Sequence, residues 1–268
     1  MNYKKKNKFA LNDLELLVNK LCRQKMPVDG FLELLSKIES NFFQNPQLEL
    51  ELLLSNGLPL DILENEVFLK TALTSIENQS FCVVDIETNG SNIRCGQIIE
   101  IGAVKYKNGK IIETYDSLVY AKEIPSYIQE VTSIVPLMLE DAPRLQTVLE
   151  EFKLFLEDDV FVAHDIKFDY KFISDSFEKY NLGKLQNRKM CTIELAKRTI
   201  EAQRYGLDFL KELLDIDKHQ QHRALNDALS TTHILQRCLK NIPQEVQTAE
   251  DLIGFSKSDN LLVNNKKR

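Results

Sequence analysis

The 268-residue chain has no tryptophan, only 9 glycines and 7 prolines, and no apolar run near the roughly 20 residues a bilayer-spanning helix needs. Glycine and proline this sparse exclude collagen-like and low-complexity architectures. The 5 cysteines, Cys22, Cys82, Cys95, Cys191 and Cys238, include no CxxC pair, which argues against a disulfide framework or a thiolate zinc site and for free thiols in a reducing compartment. No N-terminal stretch has the apolar core of a signal peptide. The expected location is therefore cytoplasmic, with no membrane partner. An excess of positive charge is missing too: 34 Lys and Arg stand against 40 Asp and Glu, for a net charge of -6. No global basic surface advertises a polyanionic partner. A phosphate-binding site remains open to the chain if metal ions supply its positive charge.

What is present is an ordinary folding composition, 43% hydrophobic and 28% charged, in a length that suits one medium domain plus a small one. After a basic, solvated start at "NYKKKNK", the segment "LNDLELLVNKLC" places Leu11, Leu14, Leu17, Val18 and Leu21 at helical spacing, with Asn12 or Asp13 as cap. "PVDGFLELLSKI" repeats the pattern with Phe31, Leu34, Leu35 and Ile38. The next stretch reads two ways, because Leu48, Leu50 and Leu52 alternate, Asn56-Gly57 is a turn signal and Glu64-Asn65-Glu66 suits a hairpin. Residues 1–76 are thus expected to form a mainly helical module, either a small winged helix or an appendage packed on the main domain or on a partner.

From residue 79 the pattern changes to strands. "FCVVDIET" is the first, and "QIIEIGAVKYKNGKIIETYDSLVYA" reads as a hairpin turning at Lys107-Asn108-Gly109. A helix follows Pro143, "VFVAH" is a buried strand, and "FDYKFISDSFEKY", "IELAKRTIEAQ", "LDFLKELLD" and "ALNDALSTTHILQRCL" have helical periodicity. Strands interleaved with helices predict an α/β domain over residues 79–242, a mixed central sheet flanked by helices. From 243 to 268 the pattern weakens, and a tail is expected.

The chemistry concentrates in three places. Asp85 and Glu87 lie one residue apart in an apolar strand, so both project from the same side. Two like charges held there need a counterion. Asp169 follows the strand "VFVAH", where its alternative role is a first-turn acid favoured by the helix dipole. Asp227 sits among Leu225, Ala228 and Leu229, where it could equally be a solvated helix position. His222 precedes that helix and, alone, would read as a surface or core-satisfied residue.

Taken in order, "DIETNG", "AHDIKFD" and "HRALND" resemble the three exonuclease motifs of the DEDDh family, also called DnaQ-like exonucleases. His222, Ala224 and Asp227 fit its H-x-A-x-x-D form. "IIEIGAV", "CTIELAKR" and "YGLDFLKELL" resemble the family's second strand, the segment after its second motif and its Leu-rich helix. The resemblance implies a ribonuclease H-like fold, metal binding by Asp85, Glu87, Asp169 and Asp227, and a general base at His222. It also places the substrate's 3′ end at Thr88, Asn89 and Gly90, and counts His164 and Phe168 with the substrate-binding residues. Phe168 has a core aromatic as its alternative reading. Departures are Thr132-Ser133-Ile134-Val135 where the family usually has Thr-Gly-Ile-Thr, Asp165 in place of Asn, and Asn89 in place of Thr.

Phosphodiester hydrolysis requires a nucleophilic water, neutralised phosphoryl oxygens and a stabilised leaving oxyanion, and two divalent ions about 4 Å apart can provide all three. Mg²⁺ or Mn²⁺ prefers oxygen ligands, as carboxylates offer. The resemblance puts Asp85 between both ions, with Glu87 and Asp227 on the water-activating side and Asp169 ligating directly or through water. An imidazole titrates near neutral pH and can take the water's proton. The expected activity is 3′-5′ hydrolysis of DNA to nucleoside monophosphates, most like the proofreading epsilon type of bacterial DNA polymerase III, with a DNA 3′ end and a polymerase subunit as partners. An RNA-trimming or stand-alone repair exonuclease is one alternative, since RNA is not excluded by the metal site. A non-catalytic nucleic-acid or polymerase-binding module is the other.

Overall fold

A computed structural model describes residues 13–39, 41–216 and 222–262. The basic start, Leu11, Asn12 and the terminal "NNKKR" lie outside the described residues.

The chain begins with α1 (Asp13–Leu21), β1 (Met26–Pro27), α2 (Val28–Ser36) and α3 (Pro46–Ser55), followed by β2 (Leu60–Leu63), β3 (Glu66–Leu69) and α4 (Lys70–Leu73). The alternating leucines 48, 50 and 52 are helical, not extended. Asn45 caps α3 by accepting from the Gln47 and Leu48 amides, and Pro46 pre-sets the first turn. Between β2 and β3, Glu64 and Asn65 both lie in the left-handed region (φ 52 and 64), as a tight hairpin turn of the right twist demands. With β1 added, the sheet order is β1-β3-β2. Leu17, Phe31, Leu35, Leu50, Val67 and Leu69 form the core of this part.

The larger part contains β4 (Phe81–Thr88), β5 (Ile98–Lys107), β6 (Lys110–Leu118), α5 (Ser126–Thr132), α6 (Pro136–Leu139), α7 (Leu145–Leu156), β7 (Val160–Ala163), α8 (Ile166–Lys179), β8 (Lys189–Cys191), α9 (Thr192–Thr199), α10 (Leu207–Leu213), α11 (Ala224–Leu239) and α12 (Ala249–Phe255). Its sheet runs β6-β5-β4-β7-β8. β4 is antiparallel to β5 and parallel to β7, so this is the mixed, helix-flanked sheet expected. The period of two along β4 sorts its side chains: Cys82, Val84 and Ile86 join Phe152, Phe172 and Phe177 of α7 and α8, whereas Phe81 and Val83 join Leu195, Leu210 and Leu235 of α9, α10 and α11. Odd positions of β4 therefore face α11.

Two expectations change. The helix "IELAKRTIEAQ" ends at Thr199. Residues after 243 are not simply a tail, because Thr248 and Asp251 form a capping box for α12, which buries Ala249, Leu252 and Ile253 in the core. A seven-residue helix is too short to show periodicity, which is why the sequence pattern weakens there. Glu250 of α12 accepts two hydrogen bonds from Arg188 (both 2.6 Å) and one from Thr71 beside β3 (2.8 Å). The amide of Gln186 donates to the Asn56 carbonyl at 2.9 Å. These contacts seat the N-terminal elements on the larger part.

Candidate active site

Because Phe81 and Val83 face α11, parity carries Asp85 and Glu87 to the same side at the strand's end. Across the ladder, Asp85 pairs with Gly102 and Glu87 with Glu100. A Cβ on Gly102 would lie 2.0 Å from the Leu225 nitrogen, so only a residue without a side chain lets the first turn of α11 rest on β5. Glu100 is fully buried, and its carboxylate accepts the Ala224 amide (2.9 Å) and both Nε and Nη2 of Arg223 (2.9 and 2.6 Å). It thereby satisfies an orphan donor of the helix and fixes where α11 begins. One turn on, Asp227 faces the end of β4. Sequence reasoning passed over both residues, although a mid-strand glycine and an acid in the run "IIEIGAV" were signals of close approach and of a buried partner.

Asp169 enters from the opposite side. β7 feeds α8 through Asp165, whose left-handed backbone (φ 65) Asp and Asn tolerate better than most residues. Asp169, in the first turn, is only 5% exposed and Asp227 only 6%. Neither is a solvated helix acid. Burial, joined by Asp169, Glu87 and Asp227, pushes the Asp85 carboxyl well above the usual range. Glu87 is pushed up to about 8 by burial, then by Glu100 and Asp227. Asp169 rises to about 7 through burial, against backbone hydrogen bonds that pull it down. Acids this crowded favour protons unless cations join them.

His222 adopts φ 57 and donates its backbone N–H to Asp227 Oδ2 at 3.1 Å. A carboxylate oxygen of Glu87, an imidazole nitrogen of His222 and a carboxylate oxygen of Asp227 all lie within 4.8 Å of one another. With Asp85 and Asp169 they line a cavity of about 580 Å³. Clustered oxygen donors with raised carboxyl pKa values fit hard divalent cations. A larger cavity, about 820 Å³, lies between the β5–β6 turn and the end of α11, with Glu77 and Lys240 as its charged residues. No acid cluster lines it.

The residues expected at the substrate divide. Phe168 lines the smaller cavity and is 41% exposed, so it is not a core aromatic. His164 also lines it, but both ring nitrogens are engaged: Nδ1 with Thr192 Oγ1 (2.8 Å) and Nε2 with the Tyr205 carbonyl (2.9 Å). Burial lowers its pKa to about 4, so the neutral ring donates through Nε2 and ties the loop before α10 to β7. Thr88, Asn89 and Gly90 lie outside the cavity's lining, and their polar groups bond elsewhere in the protein, Asn89 Nδ2 donating to the Glu123 carbonyl at 3.0 Å. Thr88 Oγ1 donates to the Gly90 carbonyl (2.9 Å), Asn89 Oδ1 accepts the Gln97 amide (2.7 Å), and a Cβ on Gly90 would meet the Cys95 carbonyl at 2.6 Å.

The family profile described as "Exonuclease", of the RNase T type, matches residues 82–235, a span that contains all four acids and His222. The chain belongs to this exonuclease family. Among its relatives, the PolC-type DNA polymerase III of Thermotoga petrophila is 34% identical over 206 residues, 72% of this chain and 15% of that protein. The PolC-type DNA polymerase III of Staphylococcus saprophyticus is 34% identical over 194 residues, 71% of this chain and 13% of that protein. The chain thus spans about a seventh of these polymerases' length. Solved exonucleases share its ribonuclease H-like fold. Exonuclease X in complex with 5′ overhanging duplex DNA superposes with a TM-score of 0.53 at 24% identity, covering 66% of this chain and 99% of that one. The zinc-bound E. coli ExoI complex with single-stranded DNA superposes at 0.56 with 13% identity, covering 62% and 42%. Among the described residues of this exonuclease, no helix is long and apolar enough to cross a membrane.

Proposed function

We propose that this exonuclease removes nucleotides from the 3′ end of DNA as nucleoside monophosphates, using two divalent metal ions, Mg²⁺ or Mn²⁺, and that it serves replication proofreading in the cytoplasm beside a DNA polymerase subunit. The observation that carries this reading is the convergence of Asp85 and Glu87 from β4, Asp169 from α8 and Asp227 from α11 on one cavity, with the His222 imidazole beside Glu87 and Asp227. The four acids would hold the metal. When bound, the ions supply charge neutralisation at the phosphoryl oxygens, an activated water and a stabilised leaving oxyanion.

The chain's own groups do the rest. His222 accepts the proton of the attacking water, since its ring stands within 4.8 Å of the Glu87 and Asp227 oxygens. Its backbone amide keeps Asp227 turned toward the same place. The Phe168 ring offers a face on which the terminal base stacks. His164, in the same lining, holds the Tyr205 carbonyl. The PolC relatives support the polymerase context. We assign residues 1–76 to a separate N-terminal module and 79–242 to the catalytic domain.

The test is a primer labelled at its 5′ end, in matched, mispaired and all-RNA versions, incubated with Mg²⁺ or EDTA. The reading expects a metal-dependent ladder that shortens from the 3′ end, faster on mispaired DNA. A preference for RNA would move the protein to the trimming reading, and a folded protein that cleaves none of the three would contradict an enzymatic role.

A further inference from the structure

Lys211 of α10 is a lysine in the wrong solvent. Its side chain is 2% exposed, and its Nζ lies 3.3 Å from Asp227 Oδ1. A buried ammonium is costly unless paired, and where it does nothing else an apolar residue of similar volume serves a core as well or better. Here the pairing falls on a carboxylate of the candidate metal site. The second oxygen of Asp227 is engaged as well, by the His222 amide at 3.1 Å. Each oxygen thus has its own partner, one inside the protein and one at the cavity.

Resting on the metal-site reading above, we propose that Lys211 is a positioning residue: its ammonium occupies Asp227 Oδ1 so that Asp227 offers only Oδ2 to a cation, and its charge serves as a resident counterion for the acid cluster. Two consequences separate this from a packing role. A fixed positive charge near the site repels an incoming divalent ion, so wild type binds metal more weakly than a neutral variant does. The same charge is the counterion of the buried Asp227 when metal is absent, so the neutral variant depends on metal for stability. Lys211 and its neighbour Leu210 are both buried, which leaves the ammonium little room to swing away.

The experiment measures Mn²⁺ binding by calorimetry, and thermal midpoints in EDTA and in saturating Mn²⁺, for the full chain and for Lys211→Met, with Lys211→Gln as a second neutral variant should the first not fold. The expected result is Mn²⁺ affinity higher by on the order of tenfold, with a midpoint lowered in EDTA and recovered in Mn²⁺. A midpoint lowered equally in both conditions, or an unchanged affinity, overturns the proposal and leaves Lys211 a structural residue. If wild type itself binds no Mn²⁺, the metal-site reading fails, and the proposal falls with it.

Discussion

Gly102 stands opposite Asp85 in the β4–β5 ladder, and the space left by its missing side chain is filled by the backbone of Ala224 and Leu225. The distance between the sheet and α11, and hence between the acids of β4 and Asp227, is set by a single hydrogen atom. Gly102→Ala should push α11 outward. We expect a loss of about 1 to 3 kcal/mol in denaturant unfolding and cleavage reduced more than stability alone explains. Unchanged unfolding and cleavage would show that α11 does not rest on this residue.

Glu100 makes a related prediction by charge. It holds Arg223 and the Ala224 amide from a fully buried position, so Glu100→Ala leaves a guanidinium and a helix donor without their partner. The expected cost is about 3 kcal/mol. Urea unfolding with an unaltered midpoint would contradict it.

The raised carboxyls predict a pH dependence with a definite sign. Glu87 near 8 and Asp169 near 7 keep protons in the folded, metal-free protein that the unfolded chain has released above about pH 4.5. Their contribution to stability is therefore complete below the unfolded values and is lost as pH rises through about 7 to 8. A metal ion binding at these acids, as proposed, would displace those protons. The midpoint gain from Mn²⁺ over EDTA should widen between pH 6 and pH 9, and a gain independent of pH would mean that these acids do not bind the ion.

Phe168 is exposed enough for its removal to spare the fold. For Phe168→Ala we expect an unchanged thermal midpoint and a KM for single-stranded DNA raised about tenfold, from the loss of one stacked base. A KM equal to wild type would remove the ring from the substrate path.

The sequence carried the first-motif geometry because period two is a local rule: Asp85 and Glu87 had to share a side, but the continuous apolar run Phe81-Cys82-Val83-Val84 is covered on both faces and did not say which helix would meet them. Asp169 and Asp227 were individually ambiguous, since burial is a property of what packs over a residue. Their order along the chain resolved them. Glu100, Gly102 and Lys211 act through partners 16 to 124 residues away, and no local pattern announces such contacts. The same applies to Glu250, which joins Thr71 and Arg188 across the fold. The Asn89-Gly90 turn was legible as a turn, but its polar groups are used inside the protein: Thr88 Oγ1 and Asn89 Oδ1 bond within the loop, and Asn89 Nδ2 donates to the Glu123 carbonyl.

Asp85, Glu87, Asp169 and Asp227 are proposed to form one metal-dependent catalytic site. Its most direct test is cleavage of a 5′-labelled oligonucleotide by wild type and by Asp85→Asn, Glu87→Gln, Asp169→Asn and Asp227→Asn, each checked for folding, in Mn²⁺ and in EDTA. Wild type should be silent in EDTA, and each variant should lose more than about a hundredfold in Mn²⁺. Full activity in any one of the folded variants, or cleavage that persists in EDTA, would contradict it.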